Sequence, residues 1–452
     1  MATRTPGETI ERAPLISELD FTPFRMRVST ERYASPDFHA RERERLWMRC
    51  WQVAGRADEI PAPGDWKVHR LFDQSFLLVR GKDGVIRGFV NACRHRGNEL
   101  CAGKGHSKKF TCPYHRWQFG LDGSLIAVAK PDFKGSVEDF VGPKEELGLV
   151  QVPVDCFAGF IFLNPDPGAE PLLAFLGETA ELLAPYRLDE MTPVGMDVRE
   201  AINCNWKIVM DAFQEGYHIQ GIHPELIAAM DEAKERYGFF GDHSIATAPF
   251  GTSNLVSFGP ERQVEAIREL PAVFPGVAEI LPRFEEIIAH HRTADGKYTF
   301  PDGITARGLL QRATRDTLTA KGLDVSGLTD TQMSDNHFYL LFPNLFMTIR
   351  AGEATAIIAV PHPDGDPNRC VWQTTFYQWL PPAERAEKRV APIEVAEGDH
   401  FTYFLALEQD YHQMERQQAG LRNSGLTEMA LTRQEVRLAH FHSVLDAWLD
   451  RP

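Results

Sequence analysis

The stretch NACRHRGNELCAGKGHSKKFTCPYHRW, residues 91–117, holds two Cys/His pairs and restricts the fold of this chain more than any other segment. Cys93 and His95 form C-x-H, Cys112 and His115 form C-x-x-H, and 16 residues separate the pairs. Both pairs fall in turn-like segments between strand-like runs. A zinc finger places two cysteines in one pair and two histidines in the other, whereas each pair here mixes the two. Two loops that each donate one Cys and one His suit a [2Fe–2S] cluster in which one iron takes both thiolates and the other both imidazoles. A zinc ribbon is the alternative.

A cluster of this kind needs only a small all-β module, and the chain has 452 residues. The strand-like runs WKVHRLF, SFLLVRG, IRGFVNA, RWQFGL and SLIAVA, punctuated by KDG and LDG, place that module at residues 46–164. The PDPGAEP run at 165–171 interrupts helix and strand alike and reads as a linker. Residues 1–45 and 165–452 then make a second domain. DFHARERERLWMRC reads as an amphipathic helix, as does Asn205–Gln220, and a long helix spans about His400–Leu421 with Asp399 as N-cap. HFYLLFPNLFMTIR, ATAIIAVPH and CVWQTTFYQWL carry the β-branched and aromatic residues of an antiparallel sheet. The expected fold class is α+β.

Hydrophobic residues at 43%, charged residues at 25% and seven scattered cysteines describe a globular chain without a disulfide framework. A net charge of −15 without a basic patch disfavours nucleic acid and anionic membrane as partners. No apolar run spans a bilayer and the start lacks signal-peptide character, so the expected location is cytoplasmic. No GxGxxG fingerprint or ferredoxin cysteine set is present, so electrons for a cluster must come from another protein.

The segment NWKIVMDAFQEGYHIQGIHPEL, residues 205–226, offers a second metal site. His218 and His223 are five apart, which on a continuous helix turns them roughly 140° from each other. They can share a metal only if the helix ends between them, and Gly221 and Pro224 favour that. A carboxylate would complete a facial triad with open positions for O2. Glu408 and Asp410 compete for this role. Asp410 shares an apolar stripe with Leu407, Met414 and Leu421, whereas Glu408 falls with His412 and Glu415 on a more polar face, so Asp410 is preferred. Met210, Phe213, Phe338, Phe342 and Phe346 read as core rather than pocket.

CRHRG followed by CPYHRWQF resembles the cluster loops of Rieske proteins, and residues 205–226 resemble the iron segment of the α subunit of Rieske non-haem iron oxygenases, the aromatic ring-hydroxylating enzymes. The resemblance runs from about residue 40 to 435. It implies a Rieske [2Fe–2S] domain followed by a catalytic domain of helix-grip, START-like type. By it, Cys93, His95, Cys112 and His115 hold the cluster, and His218, His223 and Asp410 hold Fe(II). Glu215 would bridge to the Rieske histidine of a neighbouring subunit, implying a homotrimer, α3, with α3β3 as the variant form. The implied activity is that of a terminal oxygenase taking electrons from an NAD(P)H-dependent reductase, directly or through a ferredoxin, to hydroxylate an aromatic or other cyclic substrate. Alternatives are O- or N-demethylation, oxidation of a quaternary ammonium compound, or a Rieske electron carrier without oxygenase activity.

Overall fold

A computed structural model describes residues 6–129, 142–227, 230–250, 259–272 and 274–451. The chain divides into two compact units, one of residues 40–175 and 362–366, the other of residues 1–39, 176–361 and 367–452.

The smaller unit is built from short antiparallel strands: β1 (Gln52–Arg56), β2 (Asp65–Leu71), β3 (Gln74–Arg80), β4 (Ile86–Val90), β5 (Lys104–His106), β6 (Phe110–Thr111), β7 (Gln118–Phe119), β8 (Leu125–Ala127), β9 (Gln151–Val152), β10 (Val154–Phe157) and β11 (Phe160–Leu163). They form three sheets, ordered β9-β4-β3-β2-β5, β10-β11-β1 and β6-β7-β8. Leu77, Val79, Phe89, Phe110, Phe119 and Leu125 are buried together between them, and Cys93, Cys112 and Trp117 join the same core. This packing carries the two cysteine loops on rigid supports. DFHARERERLWMRC is helical as expected over Pro36–Glu42, then widens into a π turn over Arg43–Trp47.

The larger unit holds one eight-stranded sheet: β12 (Met191–Ile202), β13 (Arg236–Phe240), β14 (His243–Ala248), β15 (Asn336–Leu341), β16 (Leu345–Arg350), β17 (Glu353–Pro361), β18 (Cys370–Trp379) and β19 (Ile393–Glu394). Their order is β13-β14-β15-β16-β17-β18-β12-β19, antiparallel except for the last pair. The helices that matter for the site are α1 (Trp206–Ala212), α2 (Pro260–Glu269), α3 (Leu281–Ala289), α4 (Ala306–Ala320), α5 (Leu405–Leu421) and α6 (Val436–Leu449). Helices α2, α3 and α4 lie in the stretch between β14 and β15, and bury Val264, Ile267, Phe284, Ile288, Leu310 and Ala313 against one another. Each of the Val, Ile, Leu and Phe side chains contributes about 1.5–3 kcal/mol through removal from water. No helix among the described residues is long and apolar enough to cross a membrane.

Two local expectations need correction. The Asn205–Gln220 helix stops at Ala212, and Glu215 lies beyond its end. The late helix begins at Leu405 rather than His400, and the non-helical His400–Phe404 segment is tied to Glu200: Tyr403 Oη donates to Glu200 Oε2 at 2.7 Å and His400 Nδ1 lies 2.9 Å from Oε1. A further helix, α6, follows and buries Arg437 and His442 among its apolar and aromatic residues.

Candidate metal centres and cavity

The two cysteine loops share one hydrogen-bond design. Cys93 N donates to Asn98 O at 2.8 Å and Gly97 N donates back to Cys93 O at 2.9 Å; Cys112 N donates to Trp117 O at 2.8 Å and Arg116 N to Cys112 O at 3.1 Å. The turn needs positive φ at its fifth residue, which is 71° at Gly97 and 60° at Arg116. Both thiols are buried, while His95 and His115 face outward. The two Nδ1 atoms lie 3.2 Å apart, and His95 stacks on Trp117 with centroids 5.0 Å apart and planes 6° from parallel. Burial, with Cys112 beside it, raises the Cys93 thiol above its ordinary range. Burial and the neighbouring His115 and Arg96 lower His95, which favours the neutral imidazole that a metal requires. Paired thiols inside and paired Nδ1 atoms outside are the donor set of a Rieske cluster. Cys101 and His106 stand apart from it; His106 Nδ1 contacts Asp65 Oδ1 at 2.8 Å.

In the larger unit, Asn205 caps α1 by accepting from Lys207 N at 3.1 Å, and its Nδ2 donates to Pro367 O at 2.6 Å. The chain then turns through Glu215 into a single helical turn, Ile219–Ile222, with His218 as its N-cap and His223 as its C-cap. That break brings the rings together, with centroids 5.1 Å apart, which a continuous helix would forbid. Gly216 leaves room for the buried Glu235 carboxylate, whose Oε1 would lie 2.7 Å from a Cβ at this position.

His218, His223 and Asp410 each offer a ligand atom within 4.8 Å of the others. His223 Nε2 is 3.0 Å and His218 Nε2 is 3.9 Å from Asp410 Oδ1. Each Nδ1 is occupied elsewhere: that of His218 by Glu215 Oε1 at 2.7 Å, that of His223 by Gln409 Oε1 at 2.7 Å. Both rings are thereby oriented with Nε2 facing Asp410, the outer-shell arrangement expected of metal-binding histidines. Burial alone would lower the His218 pKa, but the hydrogen bond and charge of Glu215, with the charge of Asp410, outweigh it and hold the pKa at about 8. Glu408 points away and accepts from Tyr403 N at 2.8 Å, with His400 Nε2 at 2.9 Å, which is a capping and ion-pairing role.

The triad opens into a cavity of about 530 Å³. Phe213, Phe250, Phe274, Phe338, Phe346, Phe376, Phe401 and Phe404 contribute most of its apolar wall, with Ile219, Leu226 and Met230. Phe213, Phe338 and Phe346 are therefore cavity residues rather than plain core, whereas Met210 and Phe342 do not line it. The non-helical His400–Phe404 segment supplies Phe401, Thr402 and Phe404 to the wall. Glu235 and Arg437 also line it, and burial, with Glu232 and Glu215 nearby, raises the Glu235 carboxyl to about 7 despite the hydrogen bond from Tyr237. Among the polar residues at the site, Gln409, Glu235 and Arg437 carried no sequence signal apart from the adjacency of Gln409 to Asp410.

Two metal-competent sites on an all-β module and an eight-stranded α+β unit define a Rieske-type, two-domain metalloprotein. Residues 185–451 match the ring hydroxylating alpha subunit (catalytic domain) family and residues 50–139 the Rieske [2Fe-2S] domain, so the chain belongs to the ring-hydroxylating alpha subunit family. The carnitine monooxygenase oxygenase subunit of Acinetobacter pittii is 35% identical over 199 residues, which is 42% of this chain and 51% of that protein. The glycine betaine monooxygenase oxygenase subunit of Chromohalobacter salexigens is 35% identical over 202 residues, 44% of each chain. The biphenyl 2,3-dioxygenase subunit alpha of Rhodococcus jostii is 34% identical over 194 residues, 41% of each. The matched region thus spans about half the length of these curated relatives or less. The fold is shared with a quaternary ammonium Rieske monooxygenase (TM-score 0.63, 18% identity, 93% of this chain and 94% of that one). It is shared equally with naphthalene 1,2-dioxygenase holding indole (TM-score 0.65, 20% identity, 94% and 92%).

Proposed function

We propose that this chain is the terminal oxygenase component, the α subunit, of a multicomponent Rieske non-haem iron oxygenase that hydroxylates an aromatic or other cyclic organic substrate with O2. The carrying observation is the cavity of about 530 Å³, walled largely by phenylalanine and closing on His218, His223 and Asp410. Its volume lies in the roughly 300–1,000 Å³ range of small-molecule sites.

Cys93, His95, Cys112 and His115 would hold the [2Fe–2S] cluster, and the His218, His223 and Asp410 side chains a mononuclear Fe(II). When bound, the cluster supplies electrons singly and the iron supplies O2 activation at positions that the triad leaves open. The chain's own residues do the rest. Glu215 and Gln409 hold both imidazoles in the tautomer that presents Nε2, the phenylalanines exclude water and orient a flat apolar substrate, and Asp410 offers its buried carboxylate. Glu215 would also accept from a Rieske histidine of a neighbouring subunit, giving a homotrimer or an α3β3 assembly. The domains would divide at residues 46–164 against 1–45 and 165–452. An NAD(P)H-dependent reductase in the cytoplasm, with or without a ferredoxin, would deliver the electrons.

A second reading is oxidation or demethylation of a quaternary ammonium compound. The names of the carnitine and glycine betaine relatives favour it, as do Glu215, Glu235, Glu279 and Asp410 in a phenylalanine-rich wall. Turnover with a reductase and isotope-labelled O2 separates the two. Label in a hydroxylated ring product supports the first reading; turnover of betaines alone, with amine or aldehyde release, overturns it in favour of the second.

A further inference from the structure

The sheet beneath the cavity changes polarity along its strands. In register across β15, β16, β17 and β18, one row is Leu340, Phe346, Ile357 and Thr374, and the next is Phe338, Thr348, Thr355 and Phe376. Two residues further along β15 in the same direction comes Asn336. Phe213, which ends the helix leading to Glu215 and His218, packs on Phe346 with centroids 5.6 Å apart. Polarity therefore rises away from the segment that carries the histidines, and Asn336 lies about 13 Å along the strands from the Phe346 row.

Asn336 is 3% exposed, lines the cavity, and its buried side-chain oxygen Oδ1 has no hydrogen-bond donor among the described residues. Thr348 and Thr355, opposite each other across β16 and β17, also line it. A buried amide oxygen without a donor is costly, and a hydroxyl on a bound molecule would satisfy it. A wall of phenylalanine would have been the cheaper choice for a wholly apolar substrate.

Building on the ring-substrate reading above, we propose that Asn336, with Thr348 and Thr355, is a specificity-determining site for an oxygen substituent, a hydroxyl or carbonyl, at the end of an elongated ring substrate remote from the carbon that is oxidised. The amide can donate to or accept from such an oxygen, and the two hydroxyls can do either. Apolar groups fill the rest of the cavity, so this end sets which way round the substrate lies.

The test is anaerobic equilibrium binding of two probes, 4-hydroxybiphenyl and biphenyl, to the enzyme holding both metals. One recovered hydrogen bond predicts about fivefold tighter binding of 4-hydroxybiphenyl, and a ratio near one in Asn336→Leu. The isosteric Thr348→Val/Thr355→Val double variant, which keeps the shape of the sheet if Asn336→Leu does not fold, should also lower the ratio. Equal binding of both probes by the unaltered enzyme, or an unchanged ratio in both variants, overturns this inference and leaves the ring-substrate reading standing. Binding of neither probe overturns both.

Discussion

Replacing Gln409 by leucine tests the support of the proposed iron site without touching a ligand. Gln409 Oε1 lies 2.7 Å from His223 Nδ1, and His223 is 2% exposed. Leucine would leave the Nδ1–H of a buried imidazole without its acceptor, at a cost of about 1–3 kcal/mol. The ring could also turn over to the tautomer that carries its proton on Nε2, the atom facing Asp410. Glu225 Oε1 lies 3.8 Å from the same Nδ1 and can capture the freed proton, so the single variant should lose about tenfold in Fe(II) affinity and Gln409→Leu/Glu225→Ala closer to a hundredfold. Gln409→Glu keeps an acceptor and should stay near the parent. The assay is anaerobic Fe(II) titration of protein stripped of mononuclear iron, with the Rieske absorption as an internal control for folding. Unchanged affinity in the double variant would refute the reasoning, because His223 would then be oriented by something other than this hydrogen bond.

Glu215→Gln should retain both metals and slow electron delivery to the mononuclear iron by at least tenfold in single-turnover kinetics; an unimpaired rate removes the bridging role. Asn205→Ala removes the cap of α1, about 1 kcal/mol, and orphans Pro367 O, about 1–3 kcal/mol. Together these predict about 2–4 kcal/mol lower stability in denaturant titration, and a loss below about 0.5 kcal/mol contradicts them. At His400, burial lowers the pKa but the Glu200 and Glu408 carboxylates outweigh it and raise the value. A raised folded pKa stabilises fully below the unfolded value of about 6.5 and is lost as pH rises through the folded one. The melting temperatures of the parent and His400→Gln should thus differ most in acid and converge in alkali, whereas parallel curves would show that His400 does not titrate as argued.

The cluster loops were legible because their chemistry is local: each Cys and His pair sits in one turn, and the turn's positive φ requirement is met within six residues. Four strands of the larger sheet, β15 to β18, were legible as β-branched and aromatic runs, whereas β12, β13, β14 and β19 were not read as strands. His218 and His223 were legible as a pair because Gly221 and Pro224 announce the break between them. Asp410 required a choice between two carboxylates on one helix, and the apolar stripe separates them by burial. What stayed hidden depends on partners distant in sequence. His400–Phe404 adjoins a helix but stays outside it, with His400 and Tyr403 bonded to Glu200, about two hundred residues away. Phe213, Phe338 and Phe346 carry the composition of core, and only the register of β15 and β16 and the course of α2–α4 make them a cavity wall. Gln409 becomes meaningful only once His223 is beside it.

The most direct measurement of the central claim is electron paramagnetic resonance of the anaerobic, dithionite-reduced protein, with iron counted per chain. The account predicts a Rieske-type signal with about three irons per chain, two in the cluster and one in the His218/His223/Asp410 site. A Rieske signal with about two irons, unchanged after Fe(II) reconstitution, would contradict the oxygenase reading and leave an electron carrier; zinc without any such signal would contradict both metal sites.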